Sequence, residues 1–386
     1  MREIAVIGIG QTPIDEHWEK SLRVLAGEAS LAAMQDAGIN SVDGVFVGNM
    51  MSGSANRQQQ LGAFVADWIG VRYANAMHIE SACGSGAAAF RAGLMAVGSG
   101  MMDIALAVGV EKMTDSPANE ITAELATAAD ADWESTQGIS FVALNALVMR
   151  RYMHEYGWKH EHFAPFSINA HSNASHNPNA RLRSLIGEKE YLKAPMITPP
   201  INLMDASPMG DGAAAAILIP VEMLNRFPPR PEIKVLGSGA ASDTIAVHSR
   251  KRPLWLSAAE RSAKDAYRQA GLTPKDIDFF ELHDAFTIMA ALSLEASGFC
   301  EPGQSPRLAS DGEILPKGRI PIATRGGLKA RGHPVGATGM YQIVEIVQQL
   351  RGEAGPTQVP DARIGMSQNI GGSGSNIITH IIGRTD

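Results

Sequence analysis

The order of predicted elements in the first 110 residues returns after residue 230, and this internal repeat constrains the fold most. EIAVIGIG at 3–10 matches EIKVLGSG at 232–239, and each reads as a short buried strand ending in glycine. The helical spacing at 24–37, closed by Gly38, matches the helix predicted over 258–270. The chain therefore contains at least two pairs of equivalent elements in the same order.

Three further correspondences follow in that order. The strand predicted at 42–47 matches 277–281, and the strand at 103–110 matches 362–369. Between each pair of strands a small-residue helix begins, once after CGSG at 83–86 and once in GHPVGATG at 332–339. We infer two similar halves. A site at their junction would receive one helix N-terminus from each half, and would bring Cys83 and His333 together.

The alternation of strands and helices predicts parallel βαβ units covered on both faces, and hence an α/β fold. We expect an N-terminal half at 1–230 and a C-terminal half at 231–386. A region of different composition at about 113–200, helical and alanine-rich over 120–150, interrupts the first half. We expect this insertion to cover the junction.

Cys83 follows a strand-like segment and precedes the small residues of a first helical turn. Amide donors and the positive end of the helix dipole would face its sulfur, lower its pKa and favour the thiolate. The alternative is a buried structural cysteine, which is the commoner fate of a lone cysteine.

Three other features could supply chemistry. His283 follows the strand at 279–282 and should lie at a carboxyl end, where α/β proteins bind ligands. His333 lies in a glycine-rich turn that permits close backbone approach. The loop at 369–374, NIGGSG, offers amide donors for an oxyanion hole. The alternatives are a packing histidine, a tight-turn histidine and a flexible turn.

Composition excludes several classes of function. Two cysteines in 386 residues cannot form a disulfide framework and fit a reducing cytosol. The formal charge of −7 argues against a general nucleic-acid surface, and no apolar run reaches the length of a membrane span. The five histidines of the insertion lack ligand spacing, so we expect no metal. We predict a cytoplasmic protein without nucleic-acid or membrane partners.

Four motifs together resemble the thiolase superfamily in order and spacing: SACGSG at 81–86, HDAF at 283–286, GGLKARGHPVGATG at 326–339 and NIGGSG at 369–374. HNPNA at 176–180 and GDGAAA at 210–215 also resemble family segments. The chain is most similar to archaeal-type acetyl-CoA acetyltransferases and sterol-carrier-protein-type thiolases, which share the His-Asp motif. The resemblance implies a five-layer αβαβα sandwich of two duplicated βαβαβαββ halves with a loop insertion.

The resemblance also implies roles. Cys83 would accept the acyl group of an acyl-CoA, His333 would activate it, and His283 would polarise an oxyanion or position a water. The backbone amides of Cys83 and Gly371 would form a second oxyanion hole. Substrate contacts would come from Gly332, Gly372, Lys329 and Arg331. Coenzyme A thioesters would be substrates, with no permanently bound cofactor.

The sequence departs from the family in one respect. Many thiolases have a second cysteine where this chain has Asn369, and some sterol-carrier-type relatives have one where it has Ala285. The remaining cysteine, Cys300, has apolar neighbours typical of a core position. No residue is therefore an obvious general base for proton abstraction in the second half of the reaction. His283, a partner or a substrate group are the alternatives.

We predict a thiolase-type acyltransferase of lipid metabolism and the mevalonate pathway, acting as a homodimer or a dimer of dimers. Alternatives are a decarboxylating ketoacyl synthase, a retro-aldol acyl-CoA lyase and a non-catalytic CoA-binding scaffold. The insertion shows no clear basic groove for CoA phosphates, for which Arg181, Arg183, Lys329 and Arg331 are the nearest candidates. Some archaeal-type relatives work with a zinc-ribbon/OB-fold protein that helps hold CoA and with hydroxymethylglutaryl-CoA synthase, and the resemblance implies such partners for this chain.

Overall fold

The computed structural model describes residues 2–386. Its first part alternates strands and helices as predicted: β1 (Ile4–Gln11), α1 (Leu22–Ala37), β2 (Gly44–Gly48), α2 (Leu61–Trp68), β3 (Asn75–Ile79), α3 (Ser85–Gly98) and β4 (Ala105–Glu111). Local signals set these bounds. Ser21 caps α1 by accepting a hydrogen bond from the Val24 amide, and Gly38 ends the helix at φ 72°.

The insertion contains α4 (Ala118–Ala126), α5 (Phe141–Tyr156), α6 (Ala164–Ala174), α7 (Glu188–Lys193), β5 (Met196–Thr198) and β6 (Ile201–Asn202), before β7 (Gly212–Pro220). The helical region predicted at 120–150 is wrong as one helix. The Asp130 carboxylate accepts the amides of Asp132 and Trp133, which favours a turn. A new helix then begins at Ser140, whose hydroxyl accepts the Ala143 amide.

The second half contains β8 (Ile233–Ser242), α8 (Ser257–Ala270), β9 (Phe279–Glu281), α9 (Thr287–Ala296), α10 (Ser305–Ser310), α11 (Thr338–Arg351), β10 (Ile364–Gly371) and β11 (Asn376–Arg384). Gly271 ends α8 at φ 68°, as Gly38 ends α1. The predicted pairs of equivalent elements are thus present in both halves.

Nine of the eleven strands form one sheet in the order β3-β2-β4-β7-β1-β8-β11-β10-β9, and β5 and β6 pair separately in the insertion. The run β2-β4-β7-β1 is matched by β9-β10-β11-β8. A single pair, Ala5 with Lys234, joins the halves. Pairing is parallel where β2 meets β3 and β4 and where β9 meets β10, and antiparallel elsewhere in this sheet. Ile322 pairs with Phe280 of β9 as β3 pairs with β2.

Three apolar clusters define the layers. One packs α1 and α2 on the first half's strands, and another packs α8 and α9 on the second half's strands together with α5 and α6 of the insertion. Between them, α3 and α11 lie side by side in a cluster that takes residues from both halves. The predicted fold class is confirmed, while the division at residue 230 stays a prediction. Within residues 2–386 we find no helix both long and apolar enough to cross a bilayer.

Candidate active site

Cys83 lies in a tight turn between β3 and α3. The turn is a single 3₁₀ segment, Ala82–Gly84, and Ala82 has a left-handed φ of 49°. Side chains stabilise this unusual backbone: the Glu80 carboxylate accepts the Ala82 amide, and the Ser85 hydroxyl accepts the Ser81 amide at 2.9 Å. The turn therefore holds Cys83 at the N-terminal end of α3.

His333 is held by the corresponding turn of the second half. A π-helical turn, Gly327–Arg331, precedes it, and the Asp284 carboxylate accepts the Leu328 amide of that turn at 2.7 Å. The His333 amide donates to the Pro208 carbonyl at 3.0 Å, which ties it to the end of the insertion. Its Nδ1 lies 2.7 Å from the Thr338 hydroxyl at the start of α11. Backbone and side chain are thus fixed independently.

The two helix N-termini abut at glycines. A Cβ on Gly86 of α3 would lie 2.9 Å from both the Gly336 carbonyl and the Met340 amide of the other half. A Cβ on Gly84 would lie 3.4 Å from the Gly371 amide, so the NIGGSG loop also approaches the cysteine turn. The approach at Gly86 leaves no room for a side chain, and the two approaches together bring the motifs of both halves to one place.

A cavity of about 480 Å³ lies at this junction. Cys83, His283 and His333 all line it, so the meeting of Cys83 and His333 that the repeat predicted is present, with His283 beside them. The insertion and the segment directly after it supply much of its apolar wall, through Leu125, Phe141, Val142, Ile197, Leu203 and Met204. The insertion therefore covers the junction.

His283 has a defined tautomer. Its Nδ1 lies 3.3 Å from the Ile370 amide and 3.1 Å from Nδ2 of Asn369. Because a backbone amide can only donate, Nδ1 must accept and the ring proton must be on Nε2. His283 thus presents an N–H donor rather than a base.

Burial determines the ionisation of the site. It lowers the pKa of His283 to about 3 and that of His333 well below its ordinary value, so both rings are neutral at pH 7. Burial, followed by the Glu111 carboxylate, raises the pKa of the Cys83 thiol to about 12. The Cys83 amide lowers this pKa, as expected for a helix N-terminus, but the loss of solvation outweighs it, so the thiolate is not favoured as the sequence predicted.

Glu111 is a site residue that sequence reasoning missed. This fully buried carboxylate at the end of β4 accepts the amides of Met50, Met51 and Gly336 at 2.9–3.1 Å, as well as the side chain of Asn49. It joins the loop after β2 to the turn after His333. A charged residue ending an otherwise apolar strand, ALAVGVE, is the signal that could have revealed it.

The remaining predicted substrate and oxyanion residues differ in whether they line the cavity. Lys329 and Gly372 line the cavity. Arg331 and Gly332 are not among its lining residues; Arg331 is fully buried and pairs with Glu345, so its prediction as a substrate contact is wrong. Gly371 lies beside the cysteine turn.

The other candidates have protein partners or lie elsewhere. The side-chain Nδ2 of Asn369 contacts His283, while its buried Oδ1 has no hydrogen-bond partner. Cys300 lines a separate cavity on the second half. Two histidines of the insertion have separate protein partners: His160 contacts Asp205, and His171 contacts the Ser184 carbonyl. Among residues 2–386 no cluster of three or more potential ligands could hold a metal.

Comparison with known proteins gives consistent findings. A family model described as "Thiolase, N-terminal domain" matches residues 4–187, and one described as "Thiolase C-terminal domain-like" matches 239–384. An acetyl-CoA acetyltransferase of Methanothermobacter thermautotrophicus is 44% identical over 386 residues, covering all of both chains.

Two solved structures share the fold. The Ltp2–ChsH2(DUF35) aldolase superposes with a TM-score of 0.86 at 24% identity, covering 99% of this chain and 98% of that one. Human mitochondrial 3-ketoacyl-CoA thiolase in complex with CoA superposes with a TM-score of 0.77 at 18% identity, covering 100% and 98%.

Proposed function

The chain belongs to the thiolase family, and we propose that it is an acyl-CoA C-acyltransferase of the acetyl-CoA acetyltransferase type. It would form or cleave a 3-oxoacyl-CoA through an acyl group carried on Cys83. One observation carries the proposal: Cys83, His283 and His333, from three motifs in two halves, line the same cavity.

Acyl transfer requires that the Cys83 thiol lose its proton as the sulfur attacks. At neutral pH Cys83 is a thiol and His333 a neutral imidazole, since burial disfavours both ions. In the proposed step Nε2 of His333 takes the thiol proton as sulfur attacks the thioester carbonyl. When the tetrahedral intermediate collapses, the carbon–sulfur bond to CoA breaks and the leaving thiolate takes that proton. The hydroxyl of Thr338 would hold the ring through Nδ1.

Two donor sets would stabilise the oxyanions. The Nε2–H of His283 is one, since Nδ1 is occupied by the Ile370 amide. The amides of Cys83 and Gly371 would be the other, in keeping with the close approach of their two turns. A tetrahedral intermediate and a thioester enolate each place negative charge on oxygen, so the reaction needs both.

The proposed substrates and partners are supported by solved structures with the same fold and by the exposed residues of this chain. Coenzyme A thioesters are the proposed substrates, supported by the CoA complex of a thiolase with the same fold. Several large apolar residues at the end of the insertion and directly after it are exposed: Leu185, Leu192, Met196, Ile197 and Leu203. This surface, together with the DUF35 component of the aldolase that shares the fold, supports a partner that helps hold CoA. We retain as proposals the homodimer, hydroxymethylglutaryl-CoA synthase as a partner, and a place in the mevalonate pathway.

The experiment that tests this proposal is to trap the acyl-enzyme. We expect acetyl-CoA to add one acetyl group to the intact protein, located at Cys83 by peptide mass spectrometry. Cys83→Ala should lose both the adduct and the turnover, whereas Cys300→Ala should keep both. Turnover by Cys83→Ala would overturn the proposal.

A decarboxylating condensing enzyme is the second candidate. The observation that favours it is a cavity with one cysteine and two histidines but no carboxylate among its lining residues, with Asn369 at the second-cysteine position. Decarboxylation of a malonyl thioester yields an enolate without a base. Condensation from malonyl-CoA but not from acetyl-CoA would select this alternative.

The remaining alternatives are separated by simple measurements. A retro-aldol lyase needs no acyl-cysteine, so activity on a branched 3-hydroxyacyl-CoA would survive Cys83→Ala. A scaffold would bind CoA without forming an adduct at Cys83.

A further inference from the structure

The enolate half of the proposed reaction needs a base to remove a proton next to a thioester carbonyl. Among residues 2–386, five titratable side chains line the cavity: Cys83, Arg181, His283, Lys329 and His333. None is a carboxylate. The base must therefore come from this set, from the substrate or from a partner.

Three of the five are unsuitable. Cys83 carries the acyl group at this stage. Arg181 is paired with Asp15 and Glu16, and a guanidinium does not lose its proton in a protein. His283 already has its proton on Nε2, because its Nδ1 accepts the Ile370 amide. Lys329 and His333 remain.

Lys329 has the environment of a reactive amine. Its side chain is 3% exposed, and Nζ donates one hydrogen bond, to the Ala206 carbonyl at 2.7 Å. Within residues 2–386 no carboxylate lies within ion-pair distance of it. An ammonium buried without a counter-ion is costly, which favours the neutral amine or a bound acceptor.

The charged groups around Lys329 act in opposite directions. Asp205, after β6, and Asp284, after β9, favour the ammonium, while burial opposes it more strongly. The imidazole of His171 on α6 is kept neutral by burial and by this same lysine. The net result lowers the pKa of Lys329 to about 8, so a substantial fraction of neutral amine is present in weakly alkaline solution.

We propose that Lys329 is the proton-transfer residue of the enolate half-reaction, taking the part that a second cysteine plays in many thiolases. The proposal rests on the proposed function. Neutral Nζ takes a proton from the methyl carbon of acetyl-CoA, so a C–H bond breaks, an N–H bond forms, and the electron pair moves to the enolate oxygen. The enolate carbon then attacks the acyl carbon on Cys83, and the carbon–sulfur bond breaks. The Cys83 thiolate takes the proton from the Lys329 ammonium, which restores both groups.

The test separates the two half-reactions of one protein. Acylation of Cys83 is followed by intact mass, and enolate formation by exchange of the methyl protons of acetyl-CoA in D2O. With acetyl-CoA at saturation, so that any weaker binding is compensated, we expect K329M to lose exchange and condensation by about 100-fold or more, the usual scale for a general base, and to lose much less of the Cys83 acylation rate. K193M, at a surface position on α7, is the matched control and should change neither.

K329R and the pH profile distinguish a base from a fixed charge. Arginine keeps the charge but gives up no proton, so K329R should also lose exchange. Wild-type exchange should rise with pH through about 8, since the amine form grows as pH rises, and K329R should lack this rise. Circular dichroism confirms folding, and K329Q replaces K329M if the latter does not fold.

Other outcomes overturn the inference. Normal exchange in K329M would assign both steps to His333. Exchange retained in K329R would reduce Lys329 to an electrostatic role. A folded K329M that cannot acylate Cys83 would place the lysine before the enolate step. Failure of wild-type protein to acylate Cys83 with any acyl-CoA would instead contradict the proposed function.

Discussion

The imidazole rings of His283 and His333 meet edge to face, with centroids 5.2 Å apart and planes at 89°. Each ring is fixed through Nδ1, by the Ile370 amide in one case and the Thr338 hydroxyl in the other. Within residues 2–386 neither Nε2 has a protein hydrogen-bond partner, so both are available to a substrate. A donor and a candidate base thus lie in contact.

Thr338→Val tests how His333 is held. Loss of the 2.7 Å contact leaves Nδ1 without a partner and the tautomer unselected. We expect acylation of Cys83 to slow about tenfold, corresponding to the loss of one hydrogen bond. Rapid-quench mass spectrometry measures the rate. Thr338→Ser keeps the hydroxyl and should retain most of it; equal rates in the Val and Ser variants would show that the hydroxyl has no such role.

The ionisation of Cys83 is tested by alkylation in the free protein. A pKa near 12 leaves very little thiolate at pH 7, so the iodoacetamide rate should rise about tenfold per pH unit from pH 7 to 10 without a plateau. Peptide mapping separates this signal from Cys300, whose pKa burial also raises to about 12. A plateau below pH 9 would mean that the helix N-terminus outweighs burial after all.

Glu111 should be essential for stability. Glu111→Ala leaves the amides of Met50, Met51 and Gly336 buried without their acceptor, and we expect a loss of about 3 kcal/mol or more. Glu111→Gln keeps one acceptor oxygen and should lose less. Denaturant unfolding of the two variants measures the difference; equal stabilities would show that these amides find other acceptors.

A methyl group added at the junction of α3 and α11 should destabilise the protein. Gly86→Ala places a Cβ 2.9 Å from backbone atoms of the other half, and we expect a loss of more than about 2 kcal/mol together with slower acylation. Gly93→Ala is the control on the same helix. Its Cβ would meet a Leu218 methyl at 3.0 Å, and the gain in helix propensity offsets this contact to within about 1 kcal/mol. Thermal unfolding compares the two, and similar shifts would contradict the inferred close approach.

Buried histidines should make the fold acid-sensitive. His380, fully buried against Phe90, has its pKa lowered by burial to about 3. Between pH 6.5 and 3 the unfolded chain binds a proton there that the folded chain does not, so stability falls as pH falls. The loss is about 2 kcal/mol per such histidine from pH 6.5 to 5. Urea unfolding of His380→Gln should show a shallower pH dependence over this window, whereas parallel curves would exclude the effect.

Much of the fold could be predicted from the sequence. Both chain halves begin with a buried strand and a glycine-terminated helix, and such local patterns depend on neighbours within one turn or one strand. The motifs around Cys83, His283 and His333 could be placed at strand ends and helix starts for the same reason. The duplication then predicted that Cys83 and His333 meet, and these two side chains do line one cavity together with His283.

Other properties depend on residues distant in the chain. The pKa of Cys83 is set by burial and by Glu111, which no pattern around the cysteine reveals. Lys329 and Arg331 are two residues apart and looked equivalent, but the π-helical turn directs one to the cavity and the other to Glu345. Such differences arise from tertiary packing and not from local preference.

The central layer has a consequence for how the chain acquires its structure. Because α3 and α11 bury their apolar faces in one shared cluster, each half on its own would expose a wide apolar surface to water. A polypeptide cut near residue 230 should therefore yield two fragments that each aggregate alone and reach a stable fold only when they associate with each other.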